Sequence, residues 1–245
     1  LAMQSQSVIS SAKAVNEEVA DAFSTLLVQD FQGRIKPVNT LAVEIMDKVT
    51  GSETFDGMSA NEVLLGMVLE PKSWQQIKFI KVTHPEIKKL LGMGADDKKA
   101  AFVDFFDENM GQTAYKLGMY VEDANRKKPS ERGTLDKDIL KIDERLNILY
   151  MVYSGQLLKI FPKPSDPNNA WIDPAQAVMT LDQNLSHGIK SNLGAFFSDA
   201  SESASNPSKV ASAMQKIEWI KSLQAKYGSA VMPDRKSTRL NSSHD

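Results

Sequence analysis

The spacing of apolar positions changes several times along the chain, and each change predicts an element. From Gln4 to Thr25, apolar or small residues at Val8, Ile9, Ala12, Val15, Val19 and Phe23 keep helical spacing and predict one helix. Leu26, Leu27 and Val28 then form a short run of strand character, Gly33 sits in a polar turn, and Ile35 resumes an extended segment. Pro37 disfavours helix at Lys36 and removes a ladder donor, so this second strand must be short or at an edge. Asn39 or Thr40 can cap a following helix with Leu41, Val43, Ile45 and Met46.

Further on, Ser59-Ala-Asn-Glu62 and Thr83-His-Pro-Glu86 read as capping boxes, each opening a helix, the second closing at Gly92. Ile77–Val82 alternates like a strand, while Lys98–Asp107 and Thr113–Arg126 carry helical spacing. Lys127–Gly133 is a charged linker containing proline. The strongest helical pattern runs from Leu135 to Tyr153, with Gly155 placed to end it. Leu157–Phe161 is a strand candidate able to pair with the Leu26–Ile35 hairpin, and Pro162–Asn169 a rigid turn. Asp173-Pro174 makes an N-cap with proline at the first helical position. Ala175–Phe197 is helical in part, with Gly188 and Gly194 as breaks, and Asp199–Ser205 reads as a mobile surface loop. Asn206-Pro207 opens a last helix to Tyr227, closed by Gly228. The expectation is a mostly α fold with a small β-hairpin or sheet (α+β).

Candidate chemistry gathers in two places. Arg34 and Lys36, two apart in an extended segment, share a face; with Asp30 and Asn39 nearby they can grip a carboxylate, or Arg34 can clamp the hairpin by pairing with Asp30. Asp166, Asn168, Asn169 and Trp171 form a polar, aromatic-bearing turn among prolines, where Trp171 either stacks on a ligand or plugs the core beneath. His84 is either a ligand-binding imidazole or a surface residue at a helix start, and His187 is a weaker candidate. Met67, Met93, Met119 and Met151 sit in apolar patterns and read as core filler. No phosphate loop, nucleophile elbow, H-E-x-x-H or dinucleotide fingerprint occurs, so no catalytic residue is assigned.

Several of these residues also carry a likeness. The stretch VQDFQGRIKPVNTL resembles the VQD-x-x-GR-x-KP-x-NTL signature in the extracytoplasmic part of fused cytochrome c biogenesis proteins of the CcsA/ResB type. Gly133-Thr134, Tyr153-Ser154-Gly155, Phe161-Pro162, the Asp166-to-Trp171 stretch and Ala230-Val231-Met232-Pro233 resemble further landmarks of that region, in order. The resemblance implies the System II pathway, in which membrane proteins move haem outward and attach it to CxxCH motifs of apocytochrome c. It implies apocytochrome c and the membrane-embedded remainder of the same protein as partners, and a haem lyase as the parent activity. The family's haem-ligating histidines and tryptophan-rich loop lie in other segments, so no cofactor is expected in this fragment itself. Where the family carries His in an A-H-A-x-x-F pattern, this chain has Val19 in EVADAF.

Composition narrows the rest. The chain of 245 residues is long enough for a sizeable core, and its net charge of −2 disfavours nucleic acid. Zero cysteines exclude disulfides, thiol catalysis and covalent haem attachment to this chain. No run approaches the roughly 20 apolar residues of a membrane span. Leu1 is no initiator, and Asp234–Asp245 looks like the translation of a sequencing-library adapter, so the chain reads as an internal fragment of a longer gene. The domain expectation is therefore one extracytoplasmic, periplasmic-side domain over 1–233, membrane-anchored through segments elsewhere, with a sub-boundary near 127–133 and a disordered tail over 234–245. The rival readings are a soluble periplasmic hydrolase using Asp30, Arg34 and Asp166, or a peptide-binding module unrelated to haem. The hydrolase would need a deep pocket joining the hairpin to the Asp166 turn, lined by a group of strongly shifted pKa.

Overall fold

Short antiparallel strand pairs are pinned between helices that supply most of the core. The computed structural model describes residues 15–109 and 112–231. Helix α1 (Glu17–Phe23) leads through Thr25 into β1 (Leu27–Gln29), which pairs with β2 (Ile35–Pro37) in the register Leu27↔Pro37, Val28↔Lys36 and Gln29↔Ile35. Gly33 supplies the left-handed residue of the turn, at φ +82°. Helix α2 (Val38–Thr50) follows β2 without a break.

After the small pair β3 (Thr54–Phe55) and β4 (Met58–Ser59) come α3 (Ala60–Leu69) and the single turn α4 (Pro71–Trp74). Strand β5 (Ile80–Lys81) pairs with β6 (Lys99–Ala100) around α5 (Pro85–Leu90). A hairpin of β7 (Phe106–Asn109) and β8 (Gln112–Tyr115) leads to α6 (Gly118–Arg126). The long α7 (Thr134–Tyr153) ends at Gly155, whose φ is +77°. Strands β9 (Phe161–Pro162) and β10 (Trp171–Ile172) pair across the Asp166 turn, and α8 (Pro174–Thr180), α9 (Gln183–Glu202) and α10 (Ser208–Tyr227) complete the described chain.

One continuous apolar cluster joins these elements, from Val19 on α1 through Leu64 on α3 and Leu149 on α7 to Ile220 on α10. It extends to both sides of the Lys127–Gly133 linker, so the core there is shared. Stacked Phe23 and Phe196, 5.4 Å apart, fasten α1 to α9. Among the described residues no helix is long and apolar enough to cross a membrane. The mostly helical α+β expectation matches this architecture, as do the Leu26–Leu41 hairpin, the Ser59 capping box, α7 and the Asp173 N-cap.

Several local expectations do not. The helix expected from Gln4 is not continuous: Asn16 is extended and caps α1 by accepting from the Val19 N–H, while residues 4–14 lie outside the described residues. Neither Asn39 nor Thr40 caps α2. Pro37 is the N-cap, and the first amides donate to backbone carbonyls instead, Val38 to Leu26 and Asn39 to Ser24. The second capping box is a simple cap by His84, whose Nδ1 accepts from the Glu86 N–H at 3.2 Å. Strand structure in Ile77–Val82 is limited to Ile80–Lys81.

Lys98–Asp107 is a strand residue pair, a tight turn and another strand rather than a helix. Its Phe102, Phe105 and Phe106 mimic helical spacing, yet Phe102 and Phe106 meet Tyr153 and Tyr115 in an aromatic cluster that draws the segment out. Thr113–Tyr115 belongs to the same hairpin, where β-branched and aromatic residues suit a pleated surface. The break expected at Gly188 and Gly194 falls instead at Leu181–Asp182, and α9 runs through both glycines. Nor is Asp199–Ser205 a surface loop throughout: the helix runs on to Glu202, and only Ser203–Ser205 form a turn. Its Asp199 is buried, bonded to Lys209 Nζ at 3.1 Å and to the Ser212 hydroxyl, which locks α9 to α10. Finally, Met119 is 78% exposed and fills no core, unlike Met67, which is buried. The adapter-like tail lies outside the described residues.

Candidate functional site

The hairpin turn is organised by one carboxylate. Asp30 Oδ1 accepts from the backbone amides of Gln32 and Arg34, both at 2.9 Å, and Oδ2 accepts from Arg34 Nε at 3.0 Å. Lys36 Nζ stands 3.9 Å from the same oxygen and bonds directly to Glu44 on α2. Burial works against the charged form of Asp30, but the amide and guanidinium donors outweigh it and hold the carboxyl below the ordinary carboxylate range. Arg34 is engaged as the sequence suggested, although its side chain is 71% exposed.

A second polar knot ties this hairpin to the Asp166 turn. Gln29 Oε1 accepts from the Trp171 amide at 2.7 Å, and its Nε2 donates to the carbonyls of Gly33 and Asn169. The Gln29 amide itself donates to the Lys159 carbonyl at 3.0 Å. That bond is the extent of the pairing expected between Leu157–Phe161 and the hairpin. Phe161 pairs with Ile172 instead. Behind β1, the buried Gln224 of α10 accepts from the Leu27 amide at 3.1 Å and donates to the carbonyls of Leu27 and Ile160, both at 2.9 Å. It acts as a piece of strand bridging Leu27 and Ile160. Sequence reasoning missed both glutamines as organisers. The signal for Gln224 was present, since it continues the buried stripe Ala213, Ile217, Ile220 at helical spacing.

In the second turn, Asp166 Oδ2 accepts from the amides of Asn168 and Ala170, each at 3.0 Å, and Lys163 lies 3.5 Å from Oδ1. The Ala170 bond leads among the causes that lower the Asp166 pKa, with Asn168 and Lys163 adding to it against burial. Asn169 takes a left-handed backbone, φ +51°, as asparagine does in tight turns. Trp171 is buried: a Cβ on Gly228 would come within 2.5 Å of its ring. It plugs the core beneath the turn and has no open face on which to stack a porphyrin.

Beside the hairpin lies a groove of about 790 Å³ between α2 and α7. Val28, Leu41, Ile45, Leu140, Ile148 and Met151 supply apolar surface, and Asp30, Arg34 and Lys36 stand at its hairpin end. There the exposed Phe31 ring packs under Lys159 Nζ at 4.6 Å. The other end lies near the Lys48–Glu144 ion pair between the helices. Asp143, also in the lining, accepts from the Tyr115 hydroxyl at 3.0 Å and from Asn147 at 3.2 Å. Burial, with the Asp143 carboxylate adding to it, pushes the Tyr115 phenol far up, so it stays a proton donor.

The structure therefore brings Asp30, Arg34 and Lys36 together at one groove and places Asp166, Asn169 and Trp171 around a separate cavity of about 210 Å³. Gln29 fills the space between. Asn39 sits elsewhere, in a chain of amides through Asn61 to Asp21 that joins α2, α3 and α1. His84 lines neither cavity. Among the described residues, neither cavity joins Asp30 to Asp166 as a hydrolase would need, and both carboxylates are committed to backbone donors.

Among the described residues, no histidine lines either cavity. The groove lining offers Met151, Lys36 is spent on Glu44, and His84, which caps α5 through Nδ1, lies outside both linings.

No family model matches the chain. Over 167 residues, which is 68% of the chain, it is 43% identical to Protein NrfI of Wolinella succinogenes. The aligned region makes up 18% of NrfI, so the chain spans about a fifth of that curated relative's length. Identity at that level over that length makes the chain homologous to a segment of NrfI.

Proposed function

We propose that this chain belongs to a cytochrome c biogenesis protein, as the extracytoplasmic part of a membrane haem lyase of the CcsA/ResB, System II type. The observation that carries the reading is the 43% identity to NrfI, joined to the ordered CcsA/ResB-like landmarks. In this role the domain receives apocytochrome c and holds it for the membrane-embedded remainder, which handles haem and forms the thioether bonds. The groove beside the hairpin supports a binding task, since it is built on a rigidly bonded hub and its polar groups are arranged for contact rather than for proton transfer.

The test is the affinity of the full chain for an apocytochrome c bearing CxxCH against the same cytochrome carrying haem. Saturable micromolar binding to the unfolded apo form alone supports the reading, and equal or undetectable binding to both overturns it. A parallel haem titration should show no sharp Soret shift. A saturating shift abolished by His84→Ala would instead make this domain part of the haem-handling site.

A further inference from the structure

Helix α7 carries two apolar faces where a surface helix needs one. Ile139, Ile142, Leu146, Leu149 and Val152 are buried in the core. Leu140, Ile148 and Met151 lie roughly opposite on the helix, half-buried, and form one wall of the groove facing Leu41 and Ile45 of α2. The charges around that wall are unevenly satisfied. Arg34 is paired with Asp30, Lys36 with Glu44, Lys48 with Glu144, and Lys159 rests on Phe31. Asp47 and Asp143 have no cationic partner among the described residues. Asp143 is oriented by two neutral donors, Tyr115 and Asn147, which fix its carboxylate without neutralising it. Helix α2 begins at the hairpin and α7 returns to it through Lys159, so these two acids lie along the groove away from the hairpin.

Resting on the cytochrome-maturation reading, we infer that this groove seats an unfolded peptide segment that lays aliphatic side chains against Leu140, Ile148 and Met151 and brings an adjacent lysine or arginine to Asp47 and Asp143. The apolar wall supplies affinity, and the two uncompensated carboxylates select the sign of the flanking charge.

The test uses fluorescence anisotropy of the full chain with three labelled peptides. The first carries CxxCH flanked by leucine and lysine, the second has serines and alanine in place of its cysteines and histidine, and the third has glutamate in place of lysine. The first two should bind with similar affinity and the third at least tenfold more weakly. Asp47→Asn with Asp143→Asn should weaken the first two about five- to tenfold, as expected for two exposed ion pairs. Asp96→Asn with Glu108→Gln, the same charge change elsewhere, should leave them unchanged. If the first peptide binds but ignores the Asp47/Asp143 variant, the groove inference falls while the apocytochrome reading survives. If only the second binds, and does so through these acids, the groove stands and the apocytochrome reading falls. Binding of neither overturns the inference, as does a concentration-dependent dimer that Ile148→Lys disperses, which would assign the groove to a second copy. Tighter binding after removal of residues 1–14 or 232–245 would assign it to the chain's own ends and overturn it too.

Discussion

Asp30 holds more of the hairpin than Arg34 does, because the carboxylate accepts two backbone amides as well as the guanidinium. Arg34→Ala loses one bond from a largely exposed side chain and should cost about 0.5 kcal/mol. Asp30→Ala strands two turn amides and should cost about 1–2 kcal/mol, both read by urea unfolding. The lowered pKa of Asp30 gives a pH signature with a definite sign. Its contribution is complete above the unfolded value of about 3.9 and is lost as pH falls through the lower folded value. Asp30→Asn should therefore flatten the stability profile below pH 4, and an unchanged acid limb would show that other carboxylates dominate it. Gln224→Ala should be more damaging, about 3 kcal/mol, since it leaves one amide and two carbonyls of the protein interior without their partner.

At the scale of elements, α9 separates local propensity from tertiary demand. Gly188 and Gly194 look like helix breaks, yet the helix passes through both because Ile189, Leu193, Phe196 and Ala200 bury one continuous stripe. A methyl group at Gly194 would meet nothing within 4 Å, so Gly194→Ala should stabilise by about 0.5–1 kcal/mol. At Gly188 the same methyl lies 3.3 Å from Trp219, and the gain should be smaller or reversed. Calorimetric melting of the two variants checks the order. The Phe102–Phe106 segment misled for the opposite reason: its spacing fits a helix, and an aromatic cluster outside the segment decided otherwise.

For the whole molecule, the shared core makes a cooperativity prediction. Apolar side chains on both sides of Lys127–Gly133 belong to one cluster, so the chain should unfold in a single calorimetric transition with equal van't Hoff and calorimetric enthalpies. Two resolved transitions would place a domain boundary at that linker after all.

What the sequence by itself determined was local and chemical. The Gly33 turn, the Ser59 cap, the α7 stripe and the Asp173-Pro174 start each depend on residues a few positions apart, so their outcome is written in adjacent letters. The Asp30–Arg34 pair was legible for the same reason. What only the tertiary structure decided was which distant groups meet. Gln224 reaches Leu27 across 197 positions and Gln29 reaches Trp171 across 142, and Gln29, by bonding the hairpin to the Asp166 turn, occupies the space a shared site would need. The groove has the same origin. Its walls come from α2 and α7, and the second apolar face of α7 gains meaning only when α2 and the hairpin are set beside it by a core that both helices bury.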